Sequence, residues 1–316
     1  MKYIVFLPTG YTGGPFALLQ LSDALTKIGR ESQVVYFDKI SRMEMNNNSV
    51  HIEYSGETNF SIANLKPKVC YSFDRNDVII LPETRLDLLK QFVNAGFSNC
   101  VFWWLSWDNA PLSELNEFEA KSALNNAIHI FQSYYAQIQA GKLGFYGPIV
   151  SDYTFFDESI SCDESIKSND ICFLPRKSIG SDKTVSNLGS SFSIIRIENM
   201  SQNQVQDVLA RSKYFIDFGH HPGKDRIPRE AALVNCIPIV RFEGAARHIE
   251  DVYLPRFLKL ELEVMNDAVL LTEHLHYLEL KRPLILASIE PFKRKTKSEQ
   301  KVFNSQVQDF CELYFG

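Results

Sequence analysis

The feature that most constrains this chain is a short apolar run that breaks into a glycine turn and then a helix, a rhythm that recurs along its length. Tyr3 to Leu7 reads as a buried strand and "PTGYTGGP" as a turn. The helix begins near Pro15, where a missing N–H costs little. Leu18, Leu21, Leu25 and Ile28 then recur at spacings of three and four, giving one apolar face. Gly29 ends the helix and Gln33 to Phe37 returns as a strand. A strand–helix–strand unit of this kind predicts a parallel sheet.

The alternation continues with strands at Val78 to Leu81, Cys100 to Leu105 and Ala127 to Phe131. Helical segments are expected at Glu83 to Ala95, Leu112 to Asn126 and Ser133 to Ala140. Between about Lys39 and Lys68 the pattern weakens, with "MNNNS" as a loop tip. The turn-rich stretch "GPIVSDYTFFDESISCDES" reads as a linker. A second series follows, with strands at Asp170 to Leu174, Phe192 to Ile197, Tyr214 to Phe218 and Ile237 to Val240. Its helices start at Ser201, with Gln204 completing a capping box, and at Ile227. From about Lys297, Phe303, Val307, Phe310 and Tyr314 mark a terminal amphipathic helix.

The expected class is therefore α/β. Its 316 residues exceed one ordinary core, and roughly 150 residues per domain suggests two. The division expected is 1–150, 151–296 and a terminal helix over 297–316. A formal charge of -5 argues against a general nucleic-acid binder. Six scattered cysteines, Cys70, Cys100, Cys162, Cys172, Cys236 and Cys311, have no metal-ligand spacing and read as reduced thiols of a cytosolic protein. The apolar run at the amino terminus is too short for a signal peptide or a membrane span.

Four stretches could carry chemistry. In "PTGYTGGP", Gly13 and Gly14 precede a helix amino terminus, which favours an anion; the alternative is a turn that only connects strand to helix. It is not GxGxxG, and Asp38 is the nearest acidic residue at the end of the second strand, so a nicotinamide dehydrogenase is weakly supported. "LPRKSIGSDKT" sets Arg176, Lys177 and Lys183 at a strand's carboxyl end, either as a diphosphate site or as a solvated basic loop. "FWWLSWDNA" carries all three tryptophans; one of Trp103 and Trp104 belongs to the core. Trp107 and Asp108 beyond them would suit a sugar ring, or only start a helix. Glu83 follows a strand directly and can equally be a helix-start residue. His51, His129, His274 and His276 have no partner pattern and read as structural.

The fourth stretch, "DFGHHPGKDRIPREAALVNCIPIV", sets His220, His221, Gly223, Lys224, Asp225 and Arg226 between a strand and a helix. Adjacent histidines rarely converge on one ion, and no third ligand is spaced beside His220 and His221, so zinc is not expected. Lys224, Arg226 and Arg229 at a helix start, with Glu230 in its first turn, suit an anion and a pair of hydroxyls. A sugar nucleotide offers both. The bland alternative is that Asp225 pairs with a neighbouring cation and the histidines cap backbone groups.

The order of these features resembles a glycosyltransferase of the two-Rossmann, GT-B architecture, close to family 4 of bacterial surface-polysaccharide synthesis. "TGGPFALLQLSDALTKIGRESQVVYF" is similar to the family's amino-terminal segment. "LARSKYFIDFGHHPGKDRIPREAALVNCIPIV" is similar to its donor segment. By position, Glu230 falls on the second glutamate of the family's E-x7-E motif, which holds the donor ribose, and Asn235 on its helix-ending glycine. Pro222 stands where the first glutamate would be, so sugar contacts must come from His220, His221, Lys224 or N–H groups around Gly223.

The resemblance implies two Rossmann-like domains facing across a cleft, with the terminal helix returning to the first. It implies transfer from a nucleotide-sugar donor to a saccharide or lipid-linked acceptor, without a cofactor or a metal. Arg176, Lys177, Lys183, Lys224 and Arg226 would neutralise the leaving diphosphate. Asp108, then Glu83, would serve as base in an inverting reaction, with His220 a further catalytic candidate. The expected location is cytoplasmic, extending to the inner membrane surface. Two rivals have the same features: an epimerase or hydrolase of nucleotide sugars, and a non-catalytic saccharide-binding protein.

Overall fold

The computed structural model describes residues 1–316 except 11, 47, 59, 61–64, 156–158, 161–162 and 179. Cys162 and part of the linker stretch lie outside the described residues. The chain divides into two compact units, Met1–Tyr153 with Gln300–Gly316, and Thr154–Glu299.

The first unit contains β1 (Tyr3–Leu7), α1 (Gly13–Lys27), β2 (Ser32–Tyr36), β3 (Ile40–Met45), β4 (Ser49–Tyr54), β5 (Ser72–Asp74) and β6 (Val78–Pro82). It continues with α2 (Leu86–Asn94), β7 (Cys100–Trp104), α3 (Phe118–Asn125), β8 (Ile128–Phe131) and α4 (Tyr134–Gly141). A five-stranded parallel sheet runs β2-β1-β6-β7-β8. Its strands are apolar almost throughout because helices cover both faces. Ile4, Phe6, Ile79, Leu81, Phe102 and Trp104 face one core, with α2 and α3. Tyr3, Val5, Val78, Ile80, Val101 and Trp103 face the other, with α1. Both Trp103 and Trp104 are thus core residues on opposite faces, where only one was expected.

Where the pattern weakens after Lys39, β3 and β4 form an antiparallel hairpin extended by β5, with the expected loop tip between Met45 and Ser49. Val50 and Ile52 alternate inward, and the Asn46 side chain accepts from the N–H groups of Asn48 and Ser49 at the tip. The helix expected from Leu112 begins only at Phe118, since residues after Pro111 close tight turns instead.

The second unit holds β9 (Asn169–Phe173), α5 (Asp182–Leu188), β10 (Ile194–Arg196), α6 (Gln202–Arg211), β11 (Ser212–Asp217), α7 (Arg226–Leu233), β12 (Ile237–Arg241) and β13 (Lys259–Leu260). Then come α8 (Leu262–Asn266), α9 (Ala268–Leu280) and α10 (Arg282–Phe315). Its parallel sheet runs β10-β9-β11-β12-β13. Setting the hairpin aside, both sheets have the doubly wound order 2-1-3-4-5, which turns back on itself between the first and third strands. That reversal opens a crevice at the carboxyl ends, between β1 and β6 in one unit and β9 and β11 in the other.

The last helix starts at Arg282, earlier than the expected Lys297. Pro283 sits in the first turn, where its lack of an N–H is harmless, while Pro291 lies inside the helix. Ile285, Ile289 and Phe292 pack in the second unit. Phe303, Val307, Phe310 and Cys311 pack in the first, against the face of α1. Tyr314, expected in the apolar stripe, is 37% exposed, and Cys311 takes the inward position.

Phe303→Ala should therefore cost about 3–5 kcal/mol, read by chemical denaturation, because it opens a cavity at a fully buried site. Leu313→Ala, on the outer side of the same helix, should stay within about 0.5 kcal/mol. Equal costs would contradict this packing.

Candidate functional site

In the second unit, the turns after β9, β11 and β12 meet at the carboxyl edge. β11 ends in Asp217, buried because the strand is interior to the sheet. Lys177, in the turn after β9, places its Nζ 2.7 Å from Asp225 Oδ2 and 3.8 Å from Asp217 Oδ2. His221, fully buried, has Nδ1 2.8 Å from Asp225 Oδ2 and Nε2 3.9 Å from Asp217 Oδ2. Asp225 is the residue before α7, yet its side chain makes no capping bond to that helix. It turns to Lys177 and His221 instead.

Titration follows this geometry. Burial would raise the Asp225 carboxyl, but the Lys177 ammonium and the His221 ring outweigh it and hold the group well below the usual carboxylate range. Burial lowers Lys177, and Asp217 and Asp225 more than reverse that.

Glycines shape the same turns. A Cβ on Gly219 would lie 2.9 Å from Lys177 Cβ and 3.1 Å from Asp217 Oδ1. Gly244 adopts φ +55°, and a Cβ there would strike the His221 carbonyl oxygen at 2.0 Å. The neighbouring Ala245 N–H donates to that same carbonyl at 2.8 Å.

The other loop cations are also paired. Lys224 Nζ lies 2.7 Å from Glu299 Oε1 on α10, and Arg229 Nη1 donates to Glu299 Oε2 at 2.8 Å. Arg229 also donates to the carbonyls of Asp225 and Lys224, so it ties the loop to the helix it opens. Arg226 Nε lies 3.2 Å from Glu230 Oε1. Neither Glu230 oxygen is in a well-directed hydrogen bond among the described residues, although the side chain is buried. Burial raises the Glu230 carboxyl against the pull of Arg226 and Arg229. His220 turns away, Nδ1 3.5 Å from Glu243 Oε1. Gly223 is buried, while Arg176 and Lys183 are exposed.

Of the candidates read from sequence, the structure thus gathers Lys177 and His221 at the β9–β11 crevice and binds Lys224, Arg226 and His220 to separate carboxylates. Asp217 and Glu299 were missed as partners; Asp225 does pair with a cation, as the alternative reading of the loop had it, and the cation is Lys177. Asp217 and Asp225 sit four residues either side of His221, a spacing legible only once the turn is known to fold back. Ligand atoms of Asp217, His221 and Asp225 all lie within 4.8 Å, a donor set able to hold a divalent cation. The set takes only His221 of the two adjacent histidines, since His220 turns to Glu243, and the Lys177 ammonium already lies against both carboxylates.

In the first unit, Glu83 lies just beyond β6, at the edge of the β1–β6 crevice, only 3% exposed. Its Oε2 accepts the Leu105 N–H at 3.1 Å. Burial lifts its carboxyl to about 8, against the pull of two backbone N–H groups. Gly13 and Gly14 begin α1 on the same edge. A Cβ would meet nothing within 4 Å at Gly13 and only Leu105 Cδ1, at 4.0 Å, at Gly14. Asp38 accepts the Thr9 N–H at 2.8 Å. Asp108, in the turn after β7, accepts from the Tyr135 hydroxyl at 3.1 Å. Trp107 is buried and stacks on Trp104, centroids 5.2 Å apart, so its face is not open to a sugar ring.

Burial holds the Glu83 carboxyl protonated near neutrality, and that has a pH signature. Its folded value of about 8 exceeds the ordinary 4.5, so its stabilising contribution is whole below about pH 4.5 and is lost as pH rises toward about 8. Glu83→Gln should remove a penalty on the order of 4 kcal/mol that accumulates over that window. The melting temperature of the variant relative to the parent should rise from about pH 5 to about pH 8. A constant difference would show that Glu83 ionises normally in the fold.

No family model matches the chain, and no curated protein matches it in sequence. Solved structures do. Sucrose-phosphate synthase from Thermosynechococcus elongatus superposes with a TM-score of 0.70 at 9% identity, covering 100% of this chain and 99% of that one. Trehalose-6-phosphate from E. coli bound with UDP-2-fluoro glucose gives 0.64 at 9% identity, covering 99% and 98%. T4 phage BGT in complex with UDP and Mn2+ gives 0.55 at 11% identity, covering 99% of each. These neighbours are GT-B glycosyltransferases, and the fold of this chain is theirs: an α/β fold of two Rossmann-like domains.

Proposed function

We propose that the chain is a glycosyltransferase whose second unit holds a nucleotide-sugar donor and whose first unit takes a saccharide or lipid-linked saccharide acceptor. The observation that carries this reading is the crevice between β9 and β11, where a partly exposed lysine stands near a helix, α7, that carries at its fifth residue, past the first turn where the sequence had set it, a buried glutamate with no well-directed hydrogen bond among the described residues. Diphosphate needs the first and ribose hydroxyls the second. Neighbours of the same fold bind UDP or UDP-2-fluoro glucose.

In this reading the Glu230 carboxylate accepts hydrogen bonds from the ribose hydroxyls, releasing its poorly directed contact with Arg226. Lys177, with the exposed Arg176 and Lys183, meets the phosphates. The bond from the sugar's anomeric carbon to the phosphate oxygen breaks as one to an acceptor oxygen forms, and the leaving diphosphate takes the electron pair. If configuration inverts, Asp108 removes the acceptor proton. Glu83, protonated near neutrality, suits donating a hydrogen bond to the acceptor better than removing its proton. We further propose family 4 kinship, metal independence, a role in surface-polysaccharide synthesis without nucleic-acid partners, and a cytoplasmic location reaching the inner membrane surface. Among the described residues no helix is long and apolar enough to cross a membrane.

Thermal shift with UDP-, GDP-, CMP- and dTDP-sugars should single out one nucleotide. Glu230→Ala should then weaken that nucleoside diphosphate by about 1–3 kcal/mol with the fold intact. Undiminished binding in the variant would remove Glu230 from the donor site.

A further inference from the structure

We propose that Asp217 and Asp225, braced by His221, are positioning residues that hold the Lys177 ammonium in the β9–β11 crevice as the cation that meets the donor's diphosphate. This rests on the nucleotide-sugar reading and adds the residues that make its phosphate site.

Three observations converge on it. The first is layering: the Asp217 side chain is 0% exposed and Lys177 24%, so the carboxylate lies behind the lysine. An anion arriving at the edge meets the ammonium before Asp217. The second is Gly219. Any side chain there would collide with the Lys177 stem at Cβ and Cδ, 2.9 and 3.1 Å away, so the β11 turn is shaped to let that stem pass. The third is that Lys224 and Arg229, at 8% and 1% exposure, are both committed to Glu299 on α10. Lys177 is the more exposed cation, and its long stem would otherwise sample many rotamers that a ligand would have to order. Asp225 at 2.7 Å and Asp217 at 3.8 Å hold it by charge, and the buried His221 ring sits against Asp225 with Nδ1 2.8 Å from the same oxygen. The loop around His221 is pinned through its carbonyl by Ala245.

The proposal predicts a sign that simple electrostatics does not. Removing a carboxylate beside an anion site should strengthen anion binding by Coulomb attraction alone. If the carboxylate works by holding Lys177, its removal must weaken binding.

The test is calorimetric titration of inorganic pyrophosphate and of UDP, ADP, GDP and dTDP into the full chain, its variants and a double mutant, with melting curves to verify folding. Asp225→Asn, Gly219→Ala and Lys177→Met should each weaken diphosphate binding by about tenfold or more, the scale of a charge-assisted hydrogen bond. Asp225→Asn combined with Lys177→Met should be no weaker than Lys177→Met alone, because both remove the same contact. Tighter binding in Asp225→Asn, or multiplying losses in the double mutant, would overturn the proposal. If Asp225→Asn does not fold, Gly219→Ala paired with Lys177→Met decides on the same criterion. Stoichiometric manganese binding that His221→Ala abolishes would also overturn it, since the carboxylates would then serve a metal. A parent protein that binds none of these diphosphates would bring down the nucleotide-sugar reading itself, and this inference with it.

Discussion

A carboxylate taken out of water must find a cation or give up its charge, and that constraint organises the second unit's ligand edge. Asp217, Asp225, Glu230 and Glu299 are buried or nearly so, and each stands beside Lys177, Arg226, Lys224 or Arg229. Breaking one partner from such a pair typically costs about 3–5 kcal/mol, so the loop from β11 to α7 is held in shape before any ligand arrives. The consequence for function is selective. Cations that look available in the sequence are neutralised in place, and anion binding falls to the few that retain solvent access.

The first unit solves the same problem the other way. Glu83 lies at the equivalent edge of an equivalent sheet, but among the described residues no ion pair involves it; backbone N–H groups and burial surround it, and it keeps its proton toward pH 8. One strand order therefore carries two opposite electrostatic designs. A charged, cross-linked edge suits a diphosphate, and a neutral acid on the other edge suits hydroxyl groups.

Much of the fold was legible because parallel strands buried on both faces read as continuous apolar runs, as at Tyr3–Leu7 and Cys100–Trp104. The β3–β4 hairpin was not, since Ser, Arg, Glu and His occupy its outward positions and its inner face is fully buried only at Val50 and Ile52, with Ile40, Met43 and Tyr54 partly so. The start of α10 was hidden by Pro283 and Pro291, whose usual meaning depends on where in a helix they fall. At the site, the basic loop, Glu230 and the pairing of Asp225 with some cation could be read from sequence, but the other partners could not. Glu299 lies 75 residues from Lys224 in the chain, and nothing in a linear reading brings it to that loop. His221 was weighed with its neighbour His220, whereas the folded turn sets it between two aspartates and sends His220 to Glu243.

The central claim is that the carboxyl edge between β9 and β11 receives the phosphates of a nucleotide sugar. A crystal structure of the chain with its preferred nucleoside diphosphate tests this most directly. The account predicts phosphate oxygens within hydrogen-bond reach of Lys177 Nζ and ribose hydroxyls on the Glu230 carboxylate. A nucleotide seated on the first unit beside Gly13 and Gly14, with Lys177 still paired only to Asp217 and Asp225, would contradict it.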